Sequence, residues 1–205
     1  MPGTVVVVTG ASPITEVGLA AVPEGATLVA ADGGFDHARA AGLTVDRAVG
    51  DFDSIAAQPD DVPFERHPAA KDATDLELAL DAALALAPEH LLVLSGAGGR
   101  LDHLLVELAL ISAPKLAAVE VDAVFDSARV HVVRTERRLT GRVGELVSLV
   151  AMHGPAKGVT TEGLRYSLQG ETLEAGTSRG ASNVFAEPDA RIELESGVLL
   201  ALRPG

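Results

Sequence analysis

Two carboxylates, Asp51 and Asp53, stand two residues apart in the stretch Val49-Gly50-Asp51-Phe52-Asp53-Ser54, directly after an apolar run and a glycine. Continued as a strand, the stretch puts both carboxylates on one face and Phe52 on the other, because strand side chains alternate with a period of two. Two bare carboxylates about 4 Å apart repel by roughly 4 kcal/mol at an effective dielectric of about 20. A close pair therefore needs a cation or a shared proton between them. A divalent-metal site is the functional reading, and a polar turn is the alternative, since Asp and Ser are ordinary turn formers.

Further stretches pose the same choice. Asp32-Gly33-Gly34 follows an apolar run at residues 27–31, which places Asp32 either at a strand end that meets a ligand or at the start of a turn. In Lys71-Asp72-Ala73-Thr74-Asp75-Leu76-Glu77, Thr74 and Glu77 form a capping box at a helix start. Acidic residues suit that helix end, whereas Lys71 does not, unless a phosphate is met there by Lys71 and the free N–H groups. Ser95-Gly96-Ala97-Gly98-Gly99-Arg100 leads into a helix that carries Asp102 and His103 in its first turn. This loop is neither G-x-G-x-x-G nor G-x-x-x-x-G-K-[ST], yet glycines, a helix N-terminus and Arg100 together suit a phosphate. A tight packing turn is the other reading of the loop, and a helix-start or interface histidine that of His103. Tyr166, the only tyrosine, and Ser182-Asn183 offer one aromatic face and one amide for a flat heteroaromatic ligand; a core tyrosine and a loop turn are equally ordinary.

The elements that must hold these residues fall into two styles. Residues 5–8, 27–31, 47–49 and 91–94 read as buried strands of a mostly parallel sheet, with residues 119–125 and 129–133 as further strands. Residues 35–41, closed by Gly42, and the segment from Leu101 read as helices. Leu76, Ala79, Leu80, Ala83, Leu84 and Ala87 make an apolar stripe at helical spacing. From about Thr135 helix signals vanish, and runs at 146–151, 158–168, 191–194 and 198–202 separated by Gly, Pro and Asn indicate a small β-sandwich or barrel. The expectation is an α/β domain over residues 1–134 and an all-β domain over 142–205.

Composition narrows the classes. The chain has 205 residues, 47% of them hydrophobic, which is enough for a real core. Its formal charge is −13, and the excess is concentrated: residues 1–134 hold 20 Asp or Glu against 8 Lys or Arg, residues 135–205 hold 9 against 8. An acidic first part lacks the basic footprint of a nucleic-acid binder. No cysteine is present and the six histidines form no H-x-x-x-H pair, so oxygen ligands and Mg²⁺, Mn²⁺ or Ca²⁺ are the metal chemistry available. The N-terminal apolar run is too short to span a bilayer and has no basic leader, which places the protein in the cytoplasm by default.

Taken in series, Ala31-Asp32-Gly33-Gly34, Gly50-Asp51-Phe52-Asp53-Ser54, Lys71 to Glu77, Gly98-Gly99-Arg100-Leu101-Asp102-His103 and Gly180-Ala181-Ser182-Asn183 resemble the thiamine pyrophosphokinase family in order and spacing. The resemblance implies a nucleotide-binding α/β domain, a β-sandwich domain, and a homodimer with thiamine at the interface. It implies a transferase that moves the β,γ-pyrophosphoryl group of ATP onto the hydroxyethyl oxygen of thiamine, releasing AMP. By position, Asp51, Asp53 and Asp75, with Asp72, would bind Mg²⁺; Lys71, Arg100 and the Gly98-Gly99 backbone would meet phosphate oxygens. Asp32, Gly33, Gly34, Thr74 and Asp102 would complete the nucleotide side, and Ser182 and Asn183 would meet the aminopyrimidine ring. Where this chain has Tyr166, some relatives carry tryptophan, a larger stacking face. Competing readings are a pyrophosphokinase for another hydroxymethyl heterocycle, a non-catalytic thiamine or nucleotide sensor, and a phosphatase using Asp51 as nucleophile.

Overall fold

The computed structural model describes residues 3–51, 62–67, 72–96 and 100–205. The chain divides into two compact units, Met1–Ile111 with Ala118–Ser127, and Ser112–Ala117 with Ala128–Gly205.

In the first unit six strands form a parallel sheet: β1 (Thr4–Val8), β2 (Thr27–Ala31), β3 (Arg47–Gly50), β4 (Phe64–Arg66), β5 (His90–Ser95) and β6 (Glu120–Phe125). Their spatial order is β4-β3-β2-β1-β5-β6. β1, β2 and β5 need no alternation of polar residues because helices cover both faces, so every β1 side chain is buried. Helices α1 (Glu16–Ala21), α2 (Gly34–Ala40), α3 (Asp75–Leu84) and α4 (Leu101–Ile111) fill the connections. The chain builds outward from β1 through β2, β3 and β4, then returns to β1's other side with β5. That reversal puts a topological switch point between the carboxyl ends of β1 and β5, where open α/β sheets bind ligands.

One core cluster packs Val6, Val8, Leu28, Ala30, Leu92 and Leu94 of the sheet against Phe35 and Ala38 of α2. Each fully buried Val, Leu or Phe contributes roughly 1.5–3 kcal/mol. On α3, Thr74 caps the helix by accepting the Glu77 N–H at 3.2 Å, and Leu76, Ala79, Leu80 and Ala83 are buried as the stripe requires. Ala87 departs from that stripe: the helix ends at Leu84, and Ala87 lies beyond it, exposed and with φ of 50°. No helix among the described residues is long and apolar enough to cross a membrane.

The second unit is antiparallel. Its strands are β7 (Ala128–Val133), β8 (Glu136–Thr140), β9 (Leu146–Glu162), β10 (Glu171–Leu173), β11 (Asn183–Val184), β12 (Asp189–Glu193) and β13 (Ser196–Arg203), in the order β7-β13-β9-β12-β8, with β10 and β11 also paired to β9. The runs expected at 146–151 and 158–168 are not two strands. A single 17-residue β9 joins them across His153 and Gly154, both at positive φ, and ends at Glu162. This bend lets β9 pair with β13 in its first half and β12 in its last residues. Leu149, Phe185, Ile192 and Leu199 are among the residues of the core.

Candidate functional site

The carboxyl edge of the parallel sheet collects the turns named in the sequence. Gly10 follows β1, Asp32 and Gly33 follow β2, Asp51 follows β3 and Gly96 follows β5. They are drawn tightly together. A Cβ on Gly34 would lie 2.1 Å from the Val8 carbonyl oxygen, so only glycine lets α2 begin this close to β1. A Cβ on Gly96 would coincide with Ser12 Oγ, which shows the turns after β1 and β5 in direct contact. Asp32 adopts φ of 45°, a left-handed conformation that Asp tolerates better than most residues, while its N–H donates to Val49 O at 2.8 Å. Backbone strained at such an edge commonly accompanies a ligand site.

β3 ends at Gly50, so strand alternation does not carry through Asp51; this half-buried carboxylate lies one residue past the strand. Asp53, Lys71, Gly98 and Gly99 lie outside the described residues. Asp72, Thr74 and Asp75 stand at the start of α3, after the parallel strand β4, and therefore on the same edge as Asp51. Thr74's hydroxyl serves as the α3 cap, and Asp75 is the first helical residue. The donors that this edge presents are carboxylate oxygens, which fit a hard cation such as Mg²⁺.

Arg100 and Asp102 stand at the start of α4 and grip each other: Arg100 Nη2 donates to Asp102 Oδ2 at 2.6 Å and Nε donates to Oδ1 at 3.2 Å. That contact holds the Asp102 carboxyl down at about 2 and raises the guanidinium further. Both side chains are exposed, so an incoming phosphate competes for Arg100 with a partner that costs little to leave. His103 is exposed beside them.

Three residues that the sequence reading did not single out line the switch point. Thr9 Oγ1 donates to Ser95 Oγ at 2.8 Å, and Ser95 Oγ donates to Glu107 Oε2 of α4 at 2.7 Å, all buried. The signal was present: Glu107 falls four residues before Ile111, on the stripe that α4 buries, where a carboxylate is out of place. On the opposite edge of the sheet, His90, Glu120 and Asp122 bring ligand-type atoms within 4.8 Å of one another, with His90 Nε2 3.0 Å from Asp122 Oδ2. That group stands at the amino ends of β5 and β6, a sheet's length from the carboxylates above.

In the second unit Tyr166, Leu168, Ser178, Arg179, Gly180, Ala181 and Asn183 line a cavity of about 360 Å³, a size suited to a small molecule. Asn183, 2% exposed, organises it. Its Oδ1 accepts from Tyr166 N at 3.0 Å and Val184 N at 2.9 Å, and its Nδ2 donates to Tyr166 O at 2.8 Å. The amide thereby fixes the backbone of Tyr166, a residue 59% exposed and available for stacking. Ser182 is exposed at φ of 56°, its N–H bound to Ser148 Oγ at 3.0 Å. Arg179 forms a fork with Glu171 on the cavity wall, its shortest arm 2.7 Å.

A parallel sheet with carboxylates and glycine turns at its carboxyl edge, followed by an antiparallel region holding a cavity with an aromatic and an amide, is an arrangement suited to a nucleotide-using enzyme. Residues 21–122 match the family model "Thiamin pyrophosphokinase, catalytic domain", and residues 130–199 match "Thiamin pyrophosphokinase, vitamin B1 binding domain". The chain belongs to the thiamin pyrophosphokinase family. It is 25% identical over 177 residues to the thiamine pyrophosphokinase of Bacillus subtilis (strain 168), covering 80% of each chain. Its fold is that of the crystal structure of thiamine pyrophosphokinase from Bacillus subtilis, with a TM-score of 0.84 at 22% identity over 98% of both chains. A thiamin pyrophosphokinase family protein from Enterococcus faecalis is similar at a TM-score of 0.81 and 25% identity, over 98% of this chain and 99% of that one.

Proposed function

We propose that this chain transfers the pyrophosphoryl group of ATP to the hydroxyethyl oxygen of thiamine. The thiamine oxygen bonds to the β-phosphorus, the bond from that phosphorus to the α,β-bridging oxygen breaks, AMP leaves, and the hydroxyl proton passes to a carboxylate. The observation that most supports this reading is the gathering of Asp32, Asp51, Gly96 and the α3 and α4 starts on one sheet edge. Transfer of this kind needs in-line positioning and charge neutralisation more than covalent chemistry. In this reading Asp51, Asp53, Asp72 and Asp75 hold Mg²⁺, which when bound offsets the charge of the phosphates. Lys71, Arg100 and the backbone of Gly98 and Gly99 meet phosphate oxygens, Asp32, Gly33, Gly34, Thr74 and Asp102 complete the nucleotide side, and Asp53 or Asp75 accepts the proton. The first unit forms the nucleotide half and the second unit the thiamine half.

Tyr166 stacks on the thiamine ring system, positioned by Asn183, with Ser182 beside it. Asn183→Ala leaves the Tyr166 and Val184 N–H groups without their acceptor. It is expected to raise the KM for thiamine about ten-fold while leaving that for ATP unchanged, and to cost about 1–3 kcal/mol of stability. Steady-state kinetics with each substrate varied, beside denaturant unfolding, measures both; an unchanged thiamine KM would contradict the placement.

We also propose a homodimer. α4 buries only Glu107 and Ile111 and presents Leu101, at 68% exposure, and Leu105, at 59%, to solvent. A contiguous apolar helix face of this kind is a surface for a second copy of the chain. Leu105→Glu is expected to give a monomer by light scattering; a dimer of unchanged affinity would place the interface elsewhere. The reaction itself is tested by incubating the protein with Mg²⁺, ATP and thiamine and identifying the products by mass. AMP with thiamine diphosphate supports the reading, and free phosphate alone would favour a phosphatase.

A further inference from the structure

Glu107 is the one charged side chain in the buried interior among the described residues, at 7% exposure. Its position on α4 faces the sheet, where a docking helix ordinarily places leucine or alanine. Burial pushes its carboxyl above the ordinary value, against the opposing pull of the Ser95 hydrogen bond and of His103. A buried carboxylate of this kind is rarely kept for stability, because an apolar residue of similar volume is often as stable or more so. What Glu107 does provide is a connection. Through Ser95 Oγ at 2.7 Å, and from there to Thr9 Oγ1 at 2.8 Å, it ties α4 to the carboxyl ends of β5 and β1. Thr9 is 4% and Ser95 8% exposed, so water does not compete for any bond in the chain.

The three elements joined are those that flank the switch point. Ser95 is followed directly by Gly96, whose Cα lies against Ser12 in the turn after β1. Glu107 stands less than two turns along the helix from Arg100 and Asp102. We propose that Glu107 is a positioning residue for the nucleotide, which sets the pitch of α4 and the backbone at Gly96 through its acceptance of the Ser95 hydroxyl. Its carboxylate is too deeply buried to touch a substrate and acts only through those groups. The proposal rests on the ATP-using reading above.

Two substitutions separate the roles. Glu107→Gln retains an oxygen that accepts from Ser95; Glu107→Leu retains the volume and removes the acceptor. Misplacing a bound group by about 1 Å can cost about a hundred-fold, and a smaller shift correspondingly less. Glu107→Leu is therefore expected to weaken ATP binding, measured by calorimetry without thiamine, by about ten-fold or more, with the KM for thiamine within about two-fold of the parent and no fall in Tm. Glu107→Gln is expected to restore ATP binding to within about three-fold. A fall in Tm that accompanies equal losses for both substrates would make Glu107 merely structural and overturn the proposal. ATP binding unchanged in Glu107→Leu, or lost equally in both variants, would overturn it too. Parent protein that binds ATP yet forms no thiamine diphosphate would refute the assigned reaction and leave the positioning role tested by the same titration. Parent protein that binds no ATP would refute both.

Discussion

Asp51→Asn is expected to lower kcat by about a hundred- to a thousand-fold, the usual effect of removing one group that stabilises charge in a transition state. The substitution is isosteric and takes one negative donor from the sheet edge. Stability should change by no more than about 0.5 kcal/mol, because Asp51 is half-buried, beyond the end of β3 and outside the core. Raising the Mg²⁺ concentration should recover part of the loss if the residue holds the cation. Measurement of kcat against Mg²⁺ for parent and variant checks this, and full activity at ordinary Mg²⁺ would remove Asp51 from the site.

The second large effect is on folding. Gly34→Ala drives a Cβ to 2.1 Å from the Val8 carbonyl oxygen and 2.7 Å from its carbon, both backbone atoms of the central strand. Neither can turn aside as a side chain can, so α2 must lift from β1 and open the core around Phe35. A cost of about 3 kcal/mol or more follows, equivalent to a fall in Tm of roughly 6–12 °C for a chain of this size. Gly144→Ala is the control: unlike Gly34 it has a positive φ, 89°, but a Cβ there meets nothing within 4 Å. It should cost only about 1–2 kcal/mol. Equal effects from the two substitutions, by denaturant or thermal unfolding, would mean that the close approach at Gly34 does not constrain the fold.

The parts of the fold that could be read from the sequence are those whose local signal and tertiary role agree. β1, β2 and β5 are apolar runs buried on both faces, and α3 carries its own cap and stripe. α1, six residues long with Gly18 inside it, and β4, the exposed tripeptide Phe-Glu-Arg, have no such signal. β8, with Glu136, Arg137 and Arg138, falls between the two expected domains and becomes a strand because β12 pairs with it. Glycine and proline near residue 154 suggested a break, but the backbone of β9 bends there without ending.

The site divides in the same way. Residues whose type is unusual where they stand, such as Asp32 and Asp51 after apolar runs, announce themselves. Thr9 and Ser95 do not, since a hydroxyl at a strand end is common, and Glu107 does so only as a carboxylate on the stripe that α4 buries; only their meeting, 86 and 12 residues apart, makes the three a unit. Asn183 was legible as a polar residue in a glycine-rich loop, yet its hold on Tyr166 depends on a contact 17 residues away.

The most direct test of the assigned reaction follows the β-phosphorus of ATP. With ATP labelled at that atom, incubation with thiamine and Mg²⁺ should place the label in thiamine diphosphate and leave AMP unlabelled. Label recovered in ADP, with thiamine monophosphate as the other product, would mean transfer of a single phosphoryl group and would contradict the account.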